Sequence, residues 1–441
     1  MKRMGAIFLS IALALSLGAC APADTPGESG GPSGLPEQSE APMGEAATPL
    51  KAVSYPQAIG FEDYETKQKV REDNPVSEET MEAMSRFSYR TAAALLEGTK
   101  NENYSPLSLY LALALCSTGA KGSTQAEILA LLGAEDAAAL AEQCGNFYRQ
   151  FYADNEVTKR QLANSVWMDR NTQLKTDFYE RAAKQFYAEA YQADFSDPAT
   201  GKAIGTWIAK HTNGTLTPEI AIDPQDILQM INTVYFYDQW VDKFDETQTK
   251  ADVFHGAKGD ETIDFLNQTF ASHGFFKGDG FTRSSLGLKG GGEMIFVLPD
   301  EGTKVQTLLE TPEKLQSALE GGESTPGKVI WSIPKFSFDA KYGCKDMLEK
   351  LGVKAAFVED ADFSALTDGV AYVSDVVQET HIGINEKGVE ASAFTQISYA
   401  GSAMPLGEAE MVLNRPFLYG IVQDGVLLFV GVYQGEMSQG T

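Results

Sequence analysis

Residues 101–129 read "NENYSPLSLYLALALCSTGAKGSTQAEIL", and this stretch predicts two consecutive helices. Ser105 stands directly before a proline, which is the usual order of an N-terminal cap and a first-turn proline. The residues that follow are apolar almost all round, so the first helix should be buried. In the second helix Thr124 and Glu127 have the spacing of a capping box, and Gly133 is expected to end the helix.

Five other segments have the composition of β-strands, with β-branched and aromatic residues between turn residues. They are "ANSVWM", "MINTVYFY", "EMIFVLP", "KVIWSIPKFSF" and "VLLFVGVYQ". Helices predominate in the first half of the chain and strands in the second, without a regular alternation of the two. This order predicts an α+β fold with large antiparallel or mixed sheets.

The composition fits a folded soluble protein that does not bind nucleic acid. The chain has 441 residues, of which 43% are hydrophobic and 22% charged. Its 61 acidic residues outnumber its 35 basic residues, giving a formal net charge of −26. A surface this acidic repels phosphate backbones, so nucleic acid is excluded as a partner.

The N-terminus has the features of a targeting segment. Lys2 and Arg3 precede the apolar run "AIFLSIALALSLGA" and then Cys20, and this run is too short for a membrane-spanning helix. The ending "LGAC" resembles a bacterial lipobox, which implies cleavage before Cys20 and lipid attachment to its thiol. The alternative is an ordinary secreted protein whose cysteine is incidental. We expect a lipoprotein exported across the cytoplasmic membrane and anchored at the bacterial cell surface or the periplasmic face.

The rest of the chain divides into a tether and a folded domain. Residues 21–50 contain no Lys, Arg or aromatic residue and cannot bury enough apolar surface to offset the entropy of ordering. The prediction is a signal peptide over 1–19, a flexible tether with a transition segment over 20–75, and one domain over 76–441.

The sequence gives no positive evidence for catalysis, a metal or a cofactor. Its four histidines never occur at helical ligand spacing, and no G-x-S-x-G motif is present. Three cysteines remain after Cys20, none in a C-x-x-C pair, and Cys116 is expected to be a small core residue. The stretch "GLKGGGEM" at 287–294 matches no phosphate-binding motif and is predicted to be a turn between strands.

Residues 386–408, "EKGVEASAFTQISYAGSAMPLGE", change character half-way. From Val389 to Ala400, alternate residues form one face of apolar or small side chains and one mostly polar face. Gly388 stands just before, where a hinge needs backbone freedom. The second half is rich in Gly and Pro and predicts an exposed loop. A plain strand followed by a surface loop would give the same pattern.

Taken together, the motifs show that the chain resembles a serpin from roughly residue 80 to its C-terminus. The segments that resemble the family, in family order, are "NENYSPLSLYLALALCSTGAKGSTQAEIL", "ANSVWM", "WIAKHTNGTLTPEI", "MINTVYFYDQWVDKFDETQT", "IPKFSFDAKYGCKDMLEKLGVKAAFVEDADFSAL" and "NRPFLYGIVQDGVLLFVGVY". The resemblance implies the serpin fold, with an exposed reactive-centre loop. It also implies a monomer that traps serine proteases as a suicide substrate.

The resemblance assigns roles to particular residues. The loop hinge would comprise Glu386, Gly388, Val389, Glu390, Ala391 and Ala393, and the reactive bond would be Ser402–Ala403, within one or two positions. A polar cluster where the sheet opens would comprise Ser105, Ser108, Asn232 and Gln378, with Trp240 near the start of insertion. The family often has histidine at the position of Gln378, and threonine or serine at that of Val389.

Three classes of function remain open at this point. The first is an inhibitor of elastase-like or subtilisin-like proteases, because the residue before the expected cut is small and no Lys or Arg lies between Val389 and Glu410. The second is a non-inhibitory member of the same fold that binds a ligand or partner at the cell surface, against which the small-residue hinge argues. The third is an enzyme, for which the sequence offers no constellation of residues.

Overall fold

The computed structural model describes residues 46–224, 226, 228–389 and 407–435. Most helices in these ranges lie before residue 212, as the sequence predicts. The helices are α1 (Tyr64–Asp73), α2 (Glu78–Leu95), α3 (Pro106–Gly119), α4 (Gly122–Leu132), α5 (Ala137–Phe151), α6 (Thr176–Phe186), α7 (Pro198–His211), α8 (Pro312–Glu320) and α9 (Lys345–Lys350).

The strands form two large sheets, and this confirms the predicted α+β class. They are β1 (Ala47–Lys51), β2 (Glu102–Tyr104), β3 (Ala153–Asp154), β4 (Thr158–Asp169), β5 (Ala188–Ala193), β6 (Leu228–Gln239), β7 (Lys250–Gly256), β8 (Gly259–Lys277), β9 (Phe281–Gly287), β10 (Gly292–Pro299), β11 (Thr325–Pro334), β12 (Phe336–Gly343), β13 (Val377–Asn385), β14 (Gly388–Val389), β15 (Glu408–Val412), β16 (Phe417–Gln423) and β17 (Val426–Tyr433).

One sheet, called the main sheet below, has the order β1-β5-β4-β6-β14-β13-β12, with β3 paired to β4. The other, called the second sheet, has the order β15-β11-β8-β9-β10-β16-β17-β2, with β7 paired to β8. Both are mixed, because β4 and β5 are parallel in the main sheet, as are β11 and β15 in the second. Within the glycine-rich stretch at 287–294, residues 288–291 join β9 to β10 as a turn, as predicted, and residues 292–294 belong to β10.

Helix α3 lies in the core beneath the main sheet, as its apolar sequence predicts. Thirteen of its residues are buried, and Ser105 caps it by accepting a hydrogen bond from the amide of Ser108. Cys116 is buried and free, in agreement with the prediction of a small core residue. The helix therefore supports both the main sheet and β17 of the second sheet.

The predicted capping box in the second helix is wrong. Helix α4 begins at Gly122, its cap position Lys121 makes no side-chain hydrogen bond, and Thr124 lies inside the helix. The hydroxyl of Thr124 accepts from the amide of Asp362, and the carboxylate of Glu127 accepts from two amides at 354–355. The side chains of Thr124 and Glu127 instead contact a segment that is distant in sequence. The predicted end of the helix is confirmed, because Gly133 has a left-handed φ of 70°.

Residues 46–75 contact the body of the protein along one side of the main sheet. Strand β1 pairs with β5, and Lys51 forms an ion pair with Glu180 of α6 at 2.8 Å. Tyr55 stacks near Tyr152 and Tyr187. None of the helices in the described ranges is both long enough and apolar enough to cross a membrane.

Candidate functional site

Among the residues that the structure describes, a strand position in the main sheet is filled only at one end. Strand β6 has 12 residues and β13 has 9, and the two-residue β14 lies between them. Gly388 and Val389 pair antiparallel with β6 at Gln239 and Asp238, and with β13 at Asn385 and Ile384. In the described part of the chain, these are the pairs that link β6 to β13. We call the end at β14 the upper end, and the rest of the space between β6 and β13 the strand gap.

The lower part of the strand gap is a cavity of about 530 Å³, a size typical of pockets that hold a ligand. Its sides are Leu228–Thr233 of β6 and residues 374–379 at the start of β13, and its floor is α3. Most of the lining is apolar, with Leu109, Leu113, Met230, Ala371 and Val376 among the side chains. The space is therefore suited to apolar side chains that arrive on an added strand.

The turn between β13 and β14 is held by two aromatic residues of the chain after β6. The amide of Trp240 donates to the carbonyl of Lys387 at 3.0 Å, and its indole donates to the carbonyl of Asn385 at 2.8 Å. The amide of Phe244 donates to the carbonyl of Glu386 at 3.0 Å. Trp240 is only 1% exposed, so the turn is fixed by a buried side chain.

The carboxylate of Glu386 ties this turn to Thr249, just before β7, and to Lys335, between β11 and β12. It accepts hydrogen bonds from the hydroxyl of Thr249 at 2.8 Å and from Nζ of Lys335 at 3.0 Å. Burial alone would raise the pKa of the Glu386 carboxyl. Hydrogen bonds from its own amide, Lys335 and Thr249, together with the charge of Lys335, outweigh burial and hold that pKa below its ordinary value. The ionised form thus stabilises the turn.

The two residues of β14 meet their neighbours closely. A Cβ atom at Gly388 would lie 2.1 Å from the carbonyl oxygen of Asp238, so only glycine fits there. The sequence pointed to backbone freedom as the reason for this glycine. The φ of Gly388 is not positive, and close approach to β6 is the physical reason instead. Val389 is 2% exposed, which agrees with its place on the inward face.

The predicted polar cluster lies at the upper rim of the cavity, where it forms two connected pairs. Gln378 donates to the carbonyl of Ser105 and accepts from its amide, both at 2.9 Å. Ser108 donates to the amide oxygen of Asn232, whose nitrogen donates to Asn164 at 2.6 Å. The amide of Ser108 donates to the hydroxyl of Ser105 at 3.4 Å and connects the pairs. Gln378 makes both bonds because an amide side chain donates and accepts.

A model of the family "Serpin (serine protease inhibitor)" matches residues 82–434. The chain belongs to the serpin family. A serine protease inhibitor of Mus musculus is 29% identical over 77% of this chain and 84% of its own length. Serpin-Z2A of Triticum aestivum is 30% identical over 78% of this chain and 94% of its own. The crystal structure of tengpin, a thermophilic serpin, in the native state aligns with a TM-score of 0.75 at 25% identity, covering 89% of this chain and 100% of tengpin.

Membership in the serpin family establishes the serpin fold, and serpins in general are protease inhibitors and not enzymes. The described residues of this serpin include eight of the predicted site residues. Glu386, Gly388 and Val389 lie with Trp240 at the upper end, and Ser105, Ser108, Asn232 and Gln378 lie at the cavity rim. The predicted residues outside the described ranges are Cys20, Glu390, Ala391, Ala393, Ser402 and Ala403.

Sequence reasoning missed three polar residues of this site. Lys335 pairs with Glu386, Asn164 extends the polar cluster, and the buried Asp238 lies directly opposite Val389. Asp238 offered a local signal, because it interrupts the apolar and aromatic strand "MINTVYFYDQW" two residues before Trp240. A carboxylate within a buried strand requires partners, and apart from the adjacent amide of Gln239 these partners, Thr158 and Gly290, are remote in sequence.

Proposed function

We propose that this protein inhibits serine proteases as a suicide substrate. A target protease attacks the reactive-centre loop and forms an acyl-enzyme. The severed loop then extends β14 through the strand gap and carries the attached protease with it, so that deacylation stalls. Insertion of such a loop into a sheet is the known behaviour of serpins in general.

The observation that carries the proposal is the two-residue strand β14. Gly388 and Val389 already pair with both β6 and β13, and Val389 lies at the mouth of the strand gap. Each further residue that enters gains ladder hydrogen bonds on both sides, worth roughly 0.5–1.5 kcal/mol apiece. The start of the added strand is therefore present before cleavage, with its register set.

Extending this register assigns a place to each inward side chain of the loop. Val389 lies opposite Asp238 and Ile384, and the ladder is antiparallel. Thr395 would thus stand between Asn232 and Gln378, where its hydroxyl meets the polar cluster. Ile397 would stand between Met230 and Val376, in the apolar cavity. The polar Thr395 would thus face the polar cluster, and the apolar Ile397 would face the apolar cavity.

The target is proposed to be an elastase-like or subtilisin-like protease. Residues 390–409 contain no Lys or Arg, and the proposed reactive bond Ser402–Ala403 presents a small side chain to the protease's specificity pocket. A shallow pocket accepts such a residue, whereas a trypsin-like pocket requires a cation.

We also propose that the inhibitor is displayed on a membrane through lipid on Cys20. Support comes from the run "AIFLSIALALSLGAC", which has the length and end of a lipoprotein signal. Mass spectrometry of the N-terminal peptide from isolated membranes tests this proposal. A peptide that starts at Cys20 with its acyl chains is the expected result, and an unmodified cysteine in that fraction contradicts it.

Incubation with pancreatic elastase or subtilisin, followed by denaturing electrophoresis, tests the proposed inhibition. We expect a covalent adduct whose mass is that of the protease plus the serpin fragment before the cut, because denaturation releases the peptide after the cut. The same protease with its active serine blocked provides the control, because no acyl-enzyme forms. Cleavage of the loop by several such proteases without any adduct would instead favour the non-inhibitory alternative.

A further inference from the structure

Asp238 is a buried carboxylate at the upper end of the strand gap. Its backbone pairs with Val389 of β14 on one side and with Thr158 of β4 on the other. Its side chain is 0% exposed. One oxygen accepts from the amide of Gln239 at 2.8 Å, and the other accepts from the hydroxyl of Thr158 at 3.1 Å.

The same carboxylate holds the glycine-rich turn between β9 and β10. The amide of Gly290 donates to its two oxygens at 3.0 and 3.1 Å. A Cβ at Gly290 would lie 2.3 Å from one of these oxygens, so the turn contacts the carboxylate without a gap. Nη1 of Arg160 and Nε2 of Gln423 donate to the carbonyl of Gly290 at 3.1 and 3.0 Å. Asp238 therefore links β6 of the main sheet to the second sheet.

The charged groups that act on this carboxylate come from two elements among the described residues. Arg160 approaches from β4, and Lys289 approaches from the glycine-rich turn. Asp424, in the turn between β16 and β17, acts on Arg160. Burial raises the pKa of the Asp238 carboxyl to about 6, although hydrogen bonds from Gly290, Thr158 and Gln239 and the charge of Arg160 lower it. Its charge thus changes under mildly acidic conditions.

We propose that Asp238 is a positioning residue for loop insertion. In its ionised form it fixes the end of β6 at the distance where Gly388 and Val389 pair with it, and protonation weakens this link. A charged acceptor makes hydrogen bonds about twice as strong as a neutral one. The inference rests on the proposed inhibition, because it concerns the first step of the same insertion.

The inference predicts opposite effects of acid on trapping and on stability. The folded-state pKa of Asp238 lies above its ordinary value, so this group makes folding more favourable as pH falls through 6. Trapping should decline over the same range, because the end of β6 is held less firmly. A loss of trapping near pH 6 would therefore not be the result of unfolding caused by this group.

The test compares the pH profile of trapping in the full-length protein and in Asp238→Asn. The measured quantity is the ratio of covalent adduct to cleaved, released inhibitor with subtilisin between pH 5 and 8. The protease's own pH dependence is common to both proteins and cancels in the comparison. We divide the ratio of adduct to released inhibitor in the wild type by the same ratio in the variant. This quotient should fall by a factor on the order of ten as Asp238 is protonated. The variant should resemble the protonated wild type at every pH.

A second variant keeps the carboxylate and moves its titration. Thr158→Val removes one hydrogen bond to the ionised form, so the midpoint of the step in trapping should shift to higher pH. This measurement decides the question if Asp238→Asn does not fold. If the wild type and both variants form adducts with the same pH profile, the proposed role of Asp238 is overturned but the proposed inhibition is not. The absence of adducts in all three proteins overturns the proposed inhibition and this inference together.

Discussion

The upper and lower ends of the strand gap differ in chemistry. At the upper end, Glu386, Trp240 and Asp238 fix the turn and the first residues of an added strand through hydrogen bonds and buried charge. At the lower end, a cavity of about 530 Å³ has a mostly apolar lining. The upper end provides geometry, and the lower end provides apolar surface that an incoming strand would bury.

This difference gives insertion a direction. Forming a new strand is costly at its first pairs, because several backbone dihedrals are fixed for few hydrogen bonds. In this serpin Gly388 and Val389 have already been ordered, so growth from the upper end avoids that cost. Growth towards the lower end then adds apolar burial, worth roughly 1.5–3 kcal/mol for a side chain such as Ile397. Substitutions at the upper end and at the lower end should therefore have different effects on trapping and stability.

The largest effect is expected from a charge on the inward face of the loop. Ala393→Arg would carry an unpaired cation into the strand gap, at a cost of several kcal/mol. We expect the protease to cleave this variant and release it, with adduct yield reduced by more than about tenfold. Electrophoresis after incubation with elastase measures the yield. Ser392→Arg is the matched control, since its side chain belongs to the outward face and trapping should persist. Equal trapping by both variants would show that the assigned facing is wrong.

The next effect concerns the polar cluster between the two ends. Gln378→Leu leaves the amide of Ser105 without its partner and removes one of the two donors to its carbonyl, which keeps the amide of Leu109. A buried group left unpaired in this way costs roughly 1–3 kcal/mol. Urea unfolding of the intact protein should show a decrease of this size. Gln316→Leu, on the exposed face of α8, is the control and should change stability by less than about 0.5 kcal/mol. A Gln378 variant as stable as the control would mean that water replaces both bonds.

Local patterns predicted those parts of the fold that depend on local contacts. The cap at Ser105, the end of α4 at Gly133 and the turn at 287–292 follow from neighbouring residues, and the structure confirms them. The capping box at Thr124 and Glu127 failed because both side chains bond to residues 354–362, more than 200 positions away. The spacing of Thr124 and Glu127 cannot show whether these side chains bond to the start of their own helix or to a segment that is distant in sequence.

The site divides in the same way. The family resemblance located Gly388 and Gln378, but the physical reason for Gly388 is its approach to Asp238, which only the paired strands reveal. The glycine-rich turn was predicted as a turn, whereas its contact with Asp238 joins two sheets. Residues whose role depends on contacts with nearby positions in the chain can be predicted from sequence. Those that join strands far apart in the chain require the fold.

A smaller effect is expected from filling the lower end. Ala112 of α3 lines the cavity and is half-buried, so Ala112→Leu should stabilise the intact protein by roughly 0.5–2 kcal/mol. It should also slow trapping, because the added side chain occupies space that Ile397 would enter. Thermal unfolding and the rate of adduct formation measure the two effects. Ala138→Leu on the exposed face of α5 is the control. A faster rate of trapping in Ala112→Leu would contradict the proposed path of the loop.

The smallest effect is expected from Glu386, at the upper end. Glu386→Gln keeps the shape but removes the charge that pairs with Lys335 at 3.0 Å, and should cost about 1 kcal/mol at neutral pH. The pKa of Glu386 is lowered in the folded protein, so its contribution is complete above its ordinary pKa and is lost as pH falls through the folded value. The difference in urea unfolding between wild type and variant should therefore be complete at pH 7 and become smaller as pH falls below the ordinary pKa of the carboxyl. A difference that does not change with pH would assign the effect to packing of the turn. Lys335→Met in both backgrounds separates the ion pair from the bond to Thr249, because only the ion pair depends on Lys335.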